Sequence, residues 1–258
     1  MPIWNNSAHL LFRRPLITLV AAILVISADP RCALANYSTQ TQDLSNRLSQ
    51  AHELLGRHYP KSVVRTGEKV KDVRGFVRDW VQKSLPKPWR KSAAQIAQAV
   101  MTESRTHELD PLFLLAVIAK ESSFRPDARG TSGELGLMQL MPATGEWIAR
   151  KMEIKYHGPR TLRDPVQNIR IGAAYLAYLR EKFDFHGRLY LSAYNMGATH
   201  VNDALDRQIW PKEYSNLVMK NYILLYGELK MSQNPERKPS STGDAGKTKG
   251  ARPYAWVD

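Results

Sequence analysis

The sequence is poor in the residues that build disulfide and metal sites. It has a single cysteine, Cys32, among 258 residues, and a lone cysteine cannot form a disulfide within the chain. Its seven histidines are scattered, and none forms a His-Glu-x-x-His pair, so we predict neither a metal site nor a cofactor. Sustained alternation of apolar and polar residues is also lacking, which argues against a mainly β fold.

Near the start, the apolar stretch from Leu16 to Ile26 is too short to cross a bilayer. It follows Arg13 and Arg14 and precedes a small-residue exit at Ala33–Ala35, which together make the three parts of a secretory signal. We therefore predict a signal peptide at residues 1–35, a periplasmic location and no stable membrane span after cleavage. Cleavage would also remove Cys32. A signal that escaped cleavage would remain as an anchor.

Acidic residues are outnumbered, with 24 Asp and Glu against 37 Lys and Arg, and the formal net charge is +13. Such a chain favours anionic partners, among them peptidoglycan with its acidic stems, membrane surfaces and nucleic acid. The basic bias is strongest between Arg57 and Lys91, which is either a solvated helical face or a surface for an envelope protein complex. Neither a recognition-helix pattern nor regularly spaced aromatic residues are present, so nucleic acid is not predicted as a partner.

Helical periodicity dominates the rest of the chain, and the predicted fold class is mainly α. A basic helical N-terminal extension at residues 36–91 ends at the Pro86–Pro88 break, a helical domain covers 92–230, and a disordered basic tail covers 231–258. Any sheet should be a short hairpin. Helices are predicted over residues 38–58 and 63–85, from a Ser92 cap, from an Asp110 cap, and over residues 166–183 and 189–205.

Glu121 closes an apolar run and is the leading candidate for chemistry. If the run is helical, Glu121 shares an apolar stripe with Val117 and Ile118. Desolvation and the negative end of the helix dipole would both raise the pKa of this carboxyl group, which suits protonation of a leaving oxygen. The alternative is an ordinary helix-end glutamate whose head reaches water.

The segments that follow Glu121-Ser122 favour the interpretation of Glu121 as a proton donor over that of an ordinary helix-end glutamate. Downstream lie Gly136-Leu-Met-Gln139, a helix beginning near Asn168, and Ala193-Tyr-Asn195. In this order the segments resemble the soluble lytic transglycosylase family, that is, the SLT domain of the lysozyme-like glycoside hydrolase family 23 type. The resemblance spans roughly residues 93 to 205 and continues more faintly to about 226.

The resemblance implies a lysozyme-like (goose-type or SLT) catalytic domain and an enzyme acting on peptidoglycan glycan strands. Such enzymes cleave the β-1,4 bond between N-acetylmuramic acid and N-acetylglucosamine without water and leave 1,6-anhydromuramic ends, in cell-wall remodelling or turnover. By the same resemblance, Glu121 is the catalytic acid and then the base, so that no second carboxylate is required. The substrate-binding residues implied are Ser122, Met138, Gln139, Tyr194, Asn195 and, as a tyrosine from a late helix, Tyr222, with Tyr226 as the alternative.

Two positions depart from the family pattern, and a third bears on the goose-type alternative. Glu134 and Met196 stand where the family usually has Ala, and Glu134 is either a substrate contact or a loop charge turned to solvent. Met141 stands where goose-type lysozymes carry an Asp, which favours transglycosylation over hydrolysis. The alternatives are a goose-type lysozyme hydrolase and a peptidoglycan-binding accessory protein of an envelope-spanning machine.

Overall fold

A computed structural model describes residues 30–67 and 72–233, with side chains from residue 42 onward. Most of the predicted signal peptide and nearly all of the predicted tail lie outside these residues. The mainly α fold class is confirmed. The α-helices are α1 (Pro30–Leu55), α2 (Val63–Gly67), α3 (Val73–Ser84), α4 (Ala93–Thr106), α5 (Pro111–Ser122), α6 (Pro142–Lys151), α7 (Pro165–Lys182), α8 (Gly187–Met196), α9 (Ala198–Asp206) and α10 (Glu213–Ser232). Short 3₁₀ turns cover Gly56–Lys61, Lys87–Ser92 and Pro159–Arg163.

Asp-Pro pairs start the two helices at the centre of the fold. The Asp110 side chain accepts a hydrogen bond from the Leu112 N–H and starts α5 as predicted, and Asp164 does the same for α7. The predicted Ser92 cap is wrong. Ser92 makes no side-chain cap bond, because a 3₁₀ turn runs directly into α4 and leaves it in a near-helical conformation.

Two predicted helices are interrupted. The helix predicted over residues 189–205 breaks at Gly197, where a φ of +87° takes the backbone out of the helical region between α8 and α9. The helix predicted over residues 63–85 is interrupted at Asp72, whose backbone is not helical and whose side chain caps α3, and Gly67 of α2 packs against the Tyr226 ring. Strand pairing among the described residues is limited to isolated bridges from Leu135 to Arg129 and Leu140.

The apolar helix α5 lies at the middle of the core. Every residue from Pro111 to Ala119 is buried, and α4 and α10 pack against this helix. A helix that is apolar on all sides is stable only when it is surrounded in this way. Glu121, near the carboxyl end of this helix, therefore lies at the edge of the core.

The N-terminal extension shares this core. Ala51 of α1, Val64 of α2 and Val77 of α3 are buried in the same apolar cluster as α5. Buried polar contacts add to this packing, because Arg180 of α7 donates to Glu53 at 2.8 Å. The boundary predicted at residues 91 and 92 therefore does not coincide with a gap in the core.

None of the described helices combines the length and the apolar character needed to cross a membrane.

Candidate active site

Glu121 lies in the last turn of α5. The helix ends just after it because Ser123 and Phe124 adopt left-handed conformations with φ of +50° and +58°. Phe124 is fully buried and holds this turn against the core. The Glu121 side chain is thereby kept partly buried at the edge of the apolar stripe predicted from the sequence.

Burial raises the pKa of Glu121 from its ordinary 4.5 to about 7. Two contacts oppose the rise: the Tyr214 hydroxyl donates a hydrogen bond to Glu121 Oε1, and the Lys120 ammonium favours the charged form. The negative charge of Glu134 acts in the other direction and raises the pKa of Glu121 further. The carboxyl group therefore exists in both protonation states near neutral pH.

Tyr194 lies close to this acid, but its hydroxyl bonds elsewhere. It donates to the Met138 carbonyl oxygen at 2.8 Å, which ties α8 to the loop before α6. Burial, and next the Glu121 charge, raise the pKa of Tyr194 well above its ordinary value, so the ring remains a neutral donor. Tyr194 thus positions the loop beside Glu121.

A cavity of about 250 Å³ contains several predicted substrate-binding residues. Gln139 lies in it with a φ of +46°, and its side-chain amide donates to the Gly136 carbonyl oxygen at 2.9 Å, which leaves the carboxamide oxygen for a ligand. Asn195 is exposed at the end of α8. The lining consists of Glu134, Gln139, Leu140, Met141, Thr144, Tyr175, Tyr194, Asn195, Met196 and Gly197.

Ser122 and Met138, both predicted to contact substrate, are buried. The Ser122 hydroxyl donates to the Leu137 carbonyl oxygen at 2.8 Å and fastens the end of α5 to the loop. Met138 is fully buried, with its sulfur packed against Gly172 of α7. The predicted sugar contact by Met138 is therefore wrong, and the methionines that line the cavity are Met141 and Met196, each of which is 38% exposed.

The prediction for Tyr222 is also wrong, because its hydroxyl donates to Asp110 Oδ2 at 2.6 Å. Asp110 begins α5 and Glu121 ends it, so eleven residues, or about 16 Å of helix, separate the two carboxylates. Tyr214, two turns earlier on α10, is the tyrosine beside Glu121. No sequence signal distinguished Tyr214 from Tyr222, because tyrosines eight residues apart lie on similar sides of one helix.

The family model described as the transglycosylase SLT domain matches residues 98–217, which contain Glu121 and the entire cavity lining. Residues 98–217 are thus similar to an SLT domain, and the term SLT domain below refers to these residues. The resemblance recognised from the ordered segments is thus confirmed.

Two curated relatives match part of this chain. A putative soluble lytic murein transglycosylase of Haemophilus influenzae is 36% identical over 95 residues, which are 37% of this chain and 16% of the relative. A transglycosylase of Enterobacteria phage PRD1 is 36% identical over 137 residues, 52% of this chain and 46% of the relative. This chain therefore spans less than half the length of either relative. Among solved structures, an inactive mutant of the lytic transglycosylase Slt of Pseudomonas aeruginosa aligns at 25% identity with a TM-score of 0.46, over 67% of this chain and 31% of that chain.

Asn168 of the SLT domain organises the cavity loop, a role that the sequence did not reveal. Its side-chain oxygen accepts from the Met138 N–H at 2.7 Å, and its amide donates to the carbonyl oxygens of Leu135 and Leu162 at 2.8 and 2.9 Å. Gly136 permits this approach, since a Cβ there would lie 2.4 Å from the Asn168 amide. A single buried side chain thus shapes the Gly136–Gln139 segment.

For Glu134, the structure favours a substrate contact over a loop charge turned to solvent. Glu134 lines the cavity with Gln139, and its carboxylate accepts from the Ser132 N–H at 3.0 Å. Gly130 makes room for it, because a Cβ there would lie 2.1 Å from a carboxylate oxygen of Glu134. A second negative charge therefore lies near Glu121.

Two further features bear on ligands. Within residues 30–67 and 72–233, no three His, Cys, Asp or Glu side chains are grouped so as to hold a metal ion. A larger cavity of about 840 Å³ lies between the end of α1 and α10 and contains none of the predicted site residues.

Proposed function

We propose that this chain is a peptidoglycan lytic transglycosylase that cleaves the β-1,4 bond between N-acetylmuramic acid and N-acetylglucosamine and leaves a 1,6-anhydromuramic end. The observation that carries this proposal is Glu121, a partly buried carboxyl group with a pKa of about 7 beside a cavity. A residue that serves first as acid and then as base needs such a pKa. The names of the relatives, lytic murein transglycosylases among them, support the same reaction.

The proposed reaction needs one carboxyl group. Protonated Glu121 gives its proton to the glycosidic oxygen as the bond to C1 breaks, while the N-acetyl oxygen of the muramic acid attacks C1. The Glu121 carboxylate then removes the proton of the C6 hydroxyl, whose oxygen bonds to C1 and displaces the acetamido oxygen. Glu121 ends protonated, and no water is consumed. Between the steps, the hydrogen bond from Tyr214 stabilises the carboxylate.

Other residues would hold the sugar in place for these steps. The free carboxamide oxygen of Gln139 suits an N-acetyl N–H, and Asn195 and Met141 offer polar and apolar contacts to the same strand. Ser122 and Tyr194 act indirectly, because their hydroxyl groups fasten the loop to α5 and α8.

The decisive experiment is mass spectrometry of the ends released from purified peptidoglycan. We expect anhydromuramic ends from the unaltered protein and a fall of at least about 10³-fold in turnover for Glu121→Gln, because an amide can neither donate nor accept this proton. The matched control is Glu146→Gln, which changes an exposed glutamate on α6 and should retain activity. Undiminished turnover by Glu121→Gln would overturn the proposal.

Hydrolysis of the goose-type lysozyme kind is the second candidate, and Glu134 is the observation in its favour. A carboxylate in the cavity, close enough to act on the pKa of Glu121, is a group that could activate water. Reducing ends in the same mass spectra, lost in Glu134→Gln, would select this candidate.

Location and partners belong to the same proposal. We propose export to the periplasm through residues 1–35, catalysis by residues 92–230, and docking to an envelope protein complex through the basic residues 36–91. If the chain is instead an accessory protein that only binds peptidoglycan, Glu121→Gln and the unaltered protein should sediment equally with purified wall and neither should release fragments.

A further inference from the structure

Two aromatic side chains extend the cavity along α6 and α7. Thr144, which lines the cavity, and Trp147 lie three residues apart on α6, and Tyr175, another lining residue, and Tyr178 lie three residues apart on α7. Residues with this spacing share a helix face. Each helix therefore carries one residue in the cavity and one aromatic residue beyond it.

The rings form a continuous surface. Tyr175 lies 5.3 Å from the Tyr194 ring on the cavity side and 6.5 Å from Trp147 on the other, and Trp147 meets Tyr178 edge-on at 4.9 Å. Trp147 is nevertheless 42% exposed. An indole held by two tyrosines yet open to solvent is a rigid surface on which a ligand can pack.

A cation completes this surface. The Lys151 ammonium lies 5.4 Å from the centre of the Tyr178 ring, one helical turn beyond Trp147 on α6. From Thr144 to Lys151 the helix rises about 10 Å, so the surface reaches well beyond the cavity. We call Trp147, Tyr178 and Lys151 the aromatic shelf.

We propose that the aromatic shelf is a distal subsite for the glycan strand, in which a pyranose ring packs on Trp147 and Lys151 binds a carboxylate of the peptide stem. Pyranose rings present C–H groups that pack against an aromatic face by dispersion and burial of apolar surface. The lysine supplies the charge that an acidic stem requires. This inference rests on the proposed function, because it assumes a peptidoglycan strand in the cavity.

Calorimetric binding to the full chain carrying Glu121→Gln tests the shelf without turnover. The probes are chitobiose, which is short enough for the cavity alone, and chitohexaose, which can reach the shelf. We expect Trp147→Ala to weaken chitohexaose binding about five- to tenfold and to leave chitobiose unchanged, while Trp147→Phe retains most of the affinity. The matched control is Trp210→Ala, which removes another exposed tryptophan, from the larger cavity.

The outcomes separate the shelf from the proposed function. Equal chitohexaose affinity of Trp147→Ala and its parent, or equal losses for both oligomers, would overturn the shelf even if the unaltered protein releases anhydromuramic ends. An unaltered protein that releases no such ends, with a length-dependent loss in Trp147→Ala, would overturn the proposed reaction and leave the shelf as a glycan-binding site.

Lys151 has its own test. We expect Lys151→Gln to weaken binding of stem-bearing peptidoglycan fragments about threefold or more and to reduce the salt dependence of binding, without changing chitohexaose affinity. Lys155→Gln, at an exposed lysine just after α6, is the control. Equal binding of stem-bearing fragments by the two variants would overturn the proposed contact between Lys151 and a carboxylate of the peptide stem.

Discussion

At the scale of single residues, Tyr214 is the contact that most directly opposes the raised pKa of Glu121. Its hydrogen bond favours the charged carboxylate, so Tyr214→Phe should move the pKa of Glu121 above about 7. Because the first step needs the protonated acid, the alkaline limb of the pH profile of kcat/KM should move to higher pH. An unchanged or lowered limb would show that Tyr214 does not act on Glu121.

Glu134 acts on the pKa of Glu121 in the direction opposite to Tyr214. Its negative charge disfavours ionisation of Glu121, so Glu134→Gln should lower the pKa of Glu121 and move the same limb to lower pH. The alkaline limbs of the two variants, measured on one substrate, should therefore move in opposite directions. A general loss of structure would move the alkaline limb in the same direction in both variants.

The sequence predicted the position of Glu121 better than those of its neighbours. Glu121 was singled out because it lies on an apolar stripe of one helix and because the ordered segments after it resemble the soluble lytic transglycosylase family. Met138 and Tyr222 were assigned to the substrate wrongly, since each has a partner residue of the same type nearby, Met141 and Tyr214. Which member of such a pair reaches the cavity depends on how the loop and α10 pack, and local spacing does not encode that packing.

At the scale of elements, the cavity loop depends on the buried side chain of Asn168. Asn168→Ala would leave the Met138 N–H and the carbonyl oxygens of Leu135 and Leu162 unpaired in the interior. We expect a loss of roughly 2–4 kcal/mol in the free energy of unfolding, measured by urea denaturation, together with reduced turnover. Gln167→Ala, at the preceding and less buried position, should stay within about 0.5 kcal/mol; equal losses would contradict the role of Asn168.

Helix positions were predictable where local chemistry decides them. The Asp110 cap and the proline after it start α5 as expected, because both signals act within one turn. The break at Gly197 and the uncapped start at Ser92 were not predictable in this way. Periodicity continues across Gly197, and at Ser92 a 3₁₀ turn runs directly into α4.

At the scale of the whole molecule, α1, α2 and α3 contribute residues to the same core as α5, although the charges of this region suggested a separate extension. Arg47 of α1 donates to the Tyr226 hydroxyl at 3.0 Å, and Tyr226 in turn donates to Asp110 at 2.6 Å, which links α1 through α10 to the start of α5. Sequence alone gives Arg47 and Glu53 the appearance of solvated charges. Tyr226 and Arg180, to which they bond, lie more than a hundred residues away, and only the fold brings them together.

The ion pair between Arg180 and Glu53 tests whether α1 is part of this unit. Both side chains are about nine-tenths buried, so Arg180→Ala would leave the Glu53 carboxylate buried without its partner and should lower the free energy of unfolding by about 3–5 kcal/mol in urea denaturation. Arg150→Ala breaks an exposed pair with Glu146 and should cost at most about 1 kcal/mol. The double variant Arg180→Met/Glu53→Leu should recover most of the loss, since it leaves no buried charge unpaired. Similar small losses for Arg180→Ala and Arg150→Ala would show that α1 does not dock on α7 in solution, and the extension would then be free to move independently of the SLT domain.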